Sequence, residues 1–518
     1  MIFNKTLIAT AVTVTLFSMA GCQDANNAGD GSAVTGSTTT TLTNDNVYML
    51  APGFPGTRVG NGNTEQLGST TFKKSKLIIE PGTLVLGNDK EALIITRGST
   101  IEAVGTAVDP IVMTSRKQFD NWVTGDGTSG RGEWAGLALM GNAKSNECGT
   151  PCNVEAEGGI GYYGGTDDTD NSGILKYLIV RHAGNEITAG NELNGLTLFA
   201  TGSGTTMDYI QVHKGLDDGI EHFGSSDFMS HIVLTDNADD GFDWGQGYTG
   251  GAQYIVSRQA NDDGDRAIEA DNDKKNPDAG PVSKPTLANM TLMAAPATTE
   301  TTADGILLRR GTGANIYNSI VAGFVDNCFD IDEKATMERA YSTADSNYTG
   351  ELTVQNTFTD CATNFKLADQ DLDNADGDAN SSTGKDSFAA LGLPTVAEWF
   401  ANSGTGNSST VTVDLTASGL PQGTFDVSVA APSIGNAKFD NTTYAGAFDP
   451  SASKQWTDGW TVGLHGNATV WQPASGGTLA GKAASADGSC PAGTTYVKAI
   501  TLPDNGEKMD LCQLKADY

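Results

Sequence analysis

Basic residues are scarce in this chain: 31 Lys and Arg stand against 63 Asp and Glu in 518 residues, a formal charge of −32 at pH 7. So negative a surface repels phosphate backbones, which sets nucleic acid aside as a partner. The net charge carries no more than that, because an acidic, Lys-poor surface also keeps a protein soluble in salty water. Only clustering at particular positions argues for a site. Long apolar runs are missing too: Leu7 to Ala20 is too short to span a bilayer, and nothing else reads as transmembrane. Cysteine is limited to seven residues, with no Cys-x-x-Cys pair or nearby His to complete a zinc set. Short β-branched runs broken by Gly and Pro exclude long helices.

What the sequence does contain is a repeat. Asp217-Asp218-Gly219-Ile220-Glu221-His222-Phe223-Gly224-Ser225-Ser226 has a near copy beginning Asp239-Asp240-Gly241-Phe242-Asp243-Trp244, and Gly219 to Gly241 is a step of 22 residues. A period of that length, holding a short apolar strand and a Gly/Asp corner, matches one coil of a β-solenoid. The strand rhythm starts at Lys76–Gly87 and continues through Ala92–Ala103 and Pro110–Ser115. A second strand recurs once per coil as Tyr177–Val180, Tyr209–Val212, His231–Leu234 and Tyr254–Ser257, with later members Asn289–Leu292 and Asn318–Val321. Alternation places Leu178, Ile210, Ile232 and Ile255 inward as a stacked ladder. The expected fold is all-β: a right-handed parallel β-helix (solenoid) with a C-terminal capping region. A two-sheet antiparallel sandwich explains the alternation but not the recurrence of matched residues at one point per coil.

Five segments follow. Residues 1–21, with Lys5 before the apolar stretch, read as a signal peptide. Its end, Met19-Ala20-Gly21-Cys22, resembles a bacterial lipoprotein cleavage site, with Met19 where Leu is usual. The resemblance implies acylation of Cys22, and several acyl chains anchor firmly where one does not. Gln23 rather than Asp after Cys22 implies sorting to the outer membrane. Residues 22–47 read as a flexible tether and 48–364 as the β-helix. Residues 365–412 form an acidic irregular insertion with Asp369, Asp371, Asp373, Asp376 and Asp378, an imperfect calcium-loop pattern, followed by a short helix from Thr395 to Asn402. Residues 413–518 supply C-terminal coils and a cap, because an open solenoid end exposes strand edges. Tyr444, Phe448, Trp456 and Trp460 are assigned to that cap. Apart from Cys22, sequence proximity pairs Cys148 with Cys152, Cys328 with Cys361, and Cys490 with Cys512, as disulfides of an exported protein.

Between Glu133 and Asn272 a series of motifs occurs in order: Trp134-Ala135-Gly136-Leu137, Tyr163-Gly164-Gly165-Thr166, Asn171-Ser172-Gly173, Asn194-Gly195-Leu196-Thr197, Gly202-Ser203-Gly204-Thr205-Thr206 and Asp265-Arg266-Ala267-Ile268-Glu269-Ala270-Asp271-Asn272. Together they resemble a group of exported bacterial right-handed parallel β-helix lipoproteins, largely uncharacterised. Ala135 and Ala267 stand where relatives often carry Gly. The resemblance implies fold and location more than activity.

Aligning the copies sets Ile220, Phe242 and Ile268 in one inward column, continued by Ile306 and Phe329. The following residues then point outward: Glu221, Asp243, Glu269, Leu307 and Asp330. Carboxylates stacked at about 4.8 Å repel, which raises their pKa or draws a cation between them. Asp218 and Asp240 stand at the preceding corner, either as ligands or as turn formers. The candidate metal set is Asp218, Glu221, Asp240, Asp243 and Glu269, and hard oxygen donors in that number suit Ca²⁺. His222 shares the inward side with Trp244. His213 and Arg258 are outward on the second strand and positioned to face a ligand.

Two functions are weighed. One is a non-enzymatic surface or outer-membrane lipoprotein whose acidic, Ca²⁺-binding stripe displays a face to an extracellular glycan or an outer-membrane partner. The other is a β-helix carbohydrate-active enzyme, a polysaccharide lyase or glycoside hydrolase. Paired carboxylates are what glycoside hydrolysis requires, with Glu221, Asp243, Glu269 and Arg258 as its catalytic candidates and Arg266 as a further possible base. The Asn-Thr-Asp and Arg-Ile-Lys motifs of polygalacturonases are absent.

Overall fold

The computed structural model describes residues 38–61, 74–124, 130–188, 190–295, 303–366, 388–415, 421–422, 438–464, 471–473, 494–501 and 508–514. The signal-peptide and Cys22 assignments, the Asp369–Asp378 run and the Cys490 partner of Cys512 lie outside them. Within them the chain is a right-handed parallel β-helix. A ten-stranded sheet of short strands includes Leu196–Phe199, Ile220–Phe223, Phe242–Gly245, Arg266–Ala270, Asp304–Leu308 and Asn327–Ile331. A fifteen-stranded sheet holds the longer strands Gly173–Arg181, Thr206–His213, Phe228–Thr235, Gly251–Arg258 and Thr286–Met293. Neighbouring coils pair in parallel in both sheets, which rules out the antiparallel sandwich.

Register agrees with the alignment of the repeats. Ile220, Phe242, Ile268, Ile306 and Phe329 are successive partners, all fully buried. Leu178, Ile210, Ile232 and Ile255 form the matching ladder of the second sheet. Each such side chain contributes about 1.5–3 kcal/mol by leaving water. At the corner before each short strand two coils approach closely. A Cβ on Gly219 would sit 2.5 Å from the Gly241 carbonyl oxygen, so only glycine fits.

Each long strand bends at one residue in left-handed conformation: Tyr177, Tyr209, His231, Tyr254 and Asn289, with φ from 47° to 62°. Non-glycine residues adopt this region infrequently, and the outward rings offset the strain by stacking. Tyr177–Tyr209, Tyr209–His231 and His231–Tyr254 centroids lie 4.3, 4.2 and 4.8 Å apart.

The aromatic C-terminal segment is not an end cap. Residues 438–464 run along the flank of the long-strand sheet instead. Val462 exchanges two hydrogen bonds with the Gln211 side chain (2.7 and 2.8 Å), and Asp440 does the same with Gln253 (3.0 and 2.8 Å). Trp460, Val462 and Leu464 cover the outward Ile179, Val233 and Val256. The end of the solenoid is closed by the helix Val396–Asn402, capped by Thr395 and Glu398. Its Trp399 and Phe400 pack on Phe329, and Trp399 Nε1 donates to the Leu352 carbonyl at 3.0 Å. Disulfides join Cys148 to Cys152 and Cys328 to Cys361, as sequence proximity pairs them.

Candidate functional site

The short-strand sheet turns Glu221, Asp243 and Glu269 to its outer face on consecutive coils, as direct register partners. The same column runs from Thr197 before them to Leu307 and Asp330 after them. Its exposure is uneven. Thr197 is wholly buried, Glu269 is 7% exposed, and Leu307 and Asp330 are closed off. Only Glu221 and Asp243 remain half-buried.

One step earlier on each coil, the corner carboxylates act structurally. Asn194 Oδ1 accepts the Asp218 N–H, Asp218 Oδ1 accepts the Asp240 N–H at 2.9 Å, and Asp240 Oδ1 accepts the Arg266 N–H at 2.7 Å. Asp304 does the same for Asn327. The corner ladder thus satisfies one backbone donor per coil, and the turn-forming reading of Asp218 and Asp240 holds for one oxygen of each.

Ligand-capable oxygens of Asp218, Glu221 and Asp243 lie within 4.8 Å of one another, and so do those of Asp240, Asp243 and Glu269. These two triads differ in their neutralisation. Glu269 meets the guanidinium groups of both Arg309 and Arg266 (3.2 Å for Arg266), and Arg309 and Arg310 also hold Asp271. Further along the column Lys366 pairs with Asp330. Among the described residues no Lys, Arg or His pairs with Asp218, Glu221 or Asp243. Asn194 Nδ2 donates to Glu221 at 2.6 Å, while Asp243 Oδ1 and the Thr197 hydroxyl are buried with no hydrogen-bond partner among the described residues.

Electrostatics follow from this packing. Burial, followed by the neighbouring carboxylates, holds Asp218, Glu221, Asp240 and Asp243 well above the usual carboxylate range. Burial also raises Glu269, against the opposing pull of Arg309. Glu157 and Asp217 at the rim are each pushed up to about 7, by burial first and then by nearby acids. In the first triad only Asp243 feels a cation, the more distant Arg309, and its carboxyl stays well above the ordinary range all the same, so ionising all three acids calls for more positive charge than the described residues place there. Hard oxygens at this spacing fit Ca²⁺, and arginine already does the equivalent work one coil later.

Three walls surround the two half-buried acids. Toward the N-terminal coils a hairpin, Val154–Glu155 with Tyr162–Tyr163, lays Ala156, Ile160 and Tyr163 over Ile94, Ala138 and Phe199. Where the strands end, Tyr163 donates to the Gln246 side chain, and Asn146 bridges the Gln246 carbonyl (2.9 Å) to the Asn272 side chain (2.9 Å). Toward the C-terminal coils stand Arg309 and Arg310. The side where the strands begin is lined by half-buried Asp217 and exposed Asp239.

Other sequence candidates lie elsewhere. His222 is inward and buried as expected, with Nε2 3.3 Å from Asp227 Oδ1. His213 and Arg258 do not face a ligand. His213 is 4% exposed beneath Gly463, with Nδ1 2.9 Å from Thr235 Oγ1. Arg258 ends a long strand and pairs with Asp236 at 3.0 Å, away from the acidic column, so it is no partner for Glu221 or Asp243. The arginines that do meet the column are Arg266 and Arg309. The second of these was legible as the residue two past Leu307, but Glu157 arrives from a hairpin outside the repeat and left no signal.

No curated protein and no solved structure matches the chain. A family model described as a pectate-lyase-like β-helix domain matches residues 62–404. Together with the coil register, that match places the chain in the pectate-lyase-like β-helix family.

Proposed function

We propose that the protein is a non-enzymatic, calcium-dependent binding protein, anchored to the outer membrane through Cys22, whose acidic face engages an extracellular glycan or an outer-membrane partner. The observation that carries this reading is the contrast between the two triads. Asp218, Glu221 and Asp243 have no basic partner among the described residues, whereas the next triad leans on Arg266 and Arg309. One Ca²⁺ at the first triad completes the pattern, narrowing the five candidate ligands to three. Calorimetry with Ca²⁺ tests it: heat of binding at a stoichiometry of one supports the reading, and no heat with unchanged thermal stability opposes it.

The family leaves a β-helix lyase or hydrolase as a second reading, and Arg266 among the carboxylates favours it. Against it, Asp240, Glu269 and Asp265 keep Arg266 protonated, its pKa being raised despite burial, so it is a poor base. A reducing-end assay on acidic polysaccharides, with Asp243→Asn as control, decides: turnover lost in the variant contradicts the binding reading.

A further inference from the structure

We infer that the site takes the neutral end of a glycan, through vicinal hydroxyls on the bound cation, and rejects both acidic sugars and the interior of a polymer. The inference rests on the calcium reading above and adds the class of ligand.

The first argument is shape. The column is open only at Glu221 and Asp243, two rungs of about 4.8 Å each, while Thr197 on one side and Glu269 on the other are covered. The hairpin closes the N-terminal end through Ile160 and Tyr163, and the Asn146–Gln246–Asn272 bridge closes the edge where the strands finish. Arg309 and Arg310, tied to Asp271, close the third side. A chain running through the site meets a wall in each of these directions, so only an end enters, past Asp217 and Asp239.

The second argument is charge. Three carboxylates outweigh one divalent ion, so Asp218, Glu221 and Asp243 stay net negative when loaded. Asp217 and Glu157 add to that field with only acids acting on them, and exposed Asp239 adds to it although Arg266 and Arg309 pull on it. A sugar carboxylate approaching the ion is repelled at short range, whereas neutral hydroxyl oxygens are not. Calcium takes roughly six to eight oxygen ligands, so three carboxylates leave places for a pair of hydroxyls. That the cluster is built for a ligand rests on more than its acidity: the wholly buried Thr197 hydroxyl next to Glu221 in register and the buried Asp243 Oδ1 both lack hydrogen-bond partners among the described residues.

The test is calorimetric titration of the calcium-loaded mature chain with mannose, galactose and fucose oligosaccharides, alongside galacturonate and mannuronate oligomers of matched length. A neutral series is expected to bind only with calcium present, its Kd changing by less than about threefold from disaccharide to hexasaccharide. Uronates are expected to bind at least about tenfold more weakly, and Asp239→Asn, at an exposed position, to narrow that gap. Tighter binding of uronates, a Kd that improves with each added unit, or failure of both series on calcium-loaded protein overturns the inference. Failure of calcium itself, read in the titration without sugar, overturns the cation reading beneath it.

Discussion

Glu221 and Asp243 are register partners on consecutive coils of the short-strand sheet, and neither forms an ion pair among the described residues, although Arg309 pulls on Asp243 from a distance. Both carboxyls are raised well above their ordinary range, by burial first and then by other acids. Native protein therefore holds protons more tightly than the unfolded chain does. That contribution to stability is complete below the unfolded carboxylate pKa and is lost as pH rises through the folded values, about 7 for Glu157 and Asp217. Metal-free protein should lose thermal stability between about pH 5 and 8, and calcium should flatten the decline. Melting curves with chelator and with calcium check this.

The corner ladder makes a separate prediction about Asp240. Its Oδ1 accepts the Arg266 N–H, so Asp240→Ala strands a half-buried donor and should cost about 1–3 kcal/mol. Asp240→Asn keeps the acceptor, as Asn194 does at the same corner two coils earlier, and should leave stability within about 1 kcal/mol of the parent. Chemical denaturation of the two variants separates the backbone role from any role in charge.

At the far end of the solenoid, Trp399 is wholly buried against Phe329 and tied to the Leu352 carbonyl. Trp399→Ala should cost about 3–5 kcal/mol and expose the last strands to pairing with other chains. Light scattering during denaturation should register aggregation in the variant and not in the parent.

The inward columns were legible because a 22-residue step and strict alternation leave little freedom of register: Ile220 cannot pair with Phe242 without also pairing Glu221 with Asp243. The flank segment was not read correctly, although a signal existed. Leu178-Ile179-Val180 is apolar on both faces, and such a strand is covered on both. Trp460 and Val462 supply the second cover. Arg309 was within reach of the repeat, one residue past the strand Asp304–Leu308, but Glu157 escaped because a hairpin outside the repeat brings it in, and nothing in a period specifies where a loop lands.

The most direct measurement is a calcium titration of the parent, Asp243→Asn and Glu269→Gln proteins side by side. One ion per chain is predicted for the parent, with affinity falling by about a hundredfold in Asp243→Asn and by less than about tenfold in Glu269→Gln. Equal losses in the two variants, or an unaltered affinity in Asp243→Asn, would contradict an ion seated among Asp218, Glu221 and Asp243.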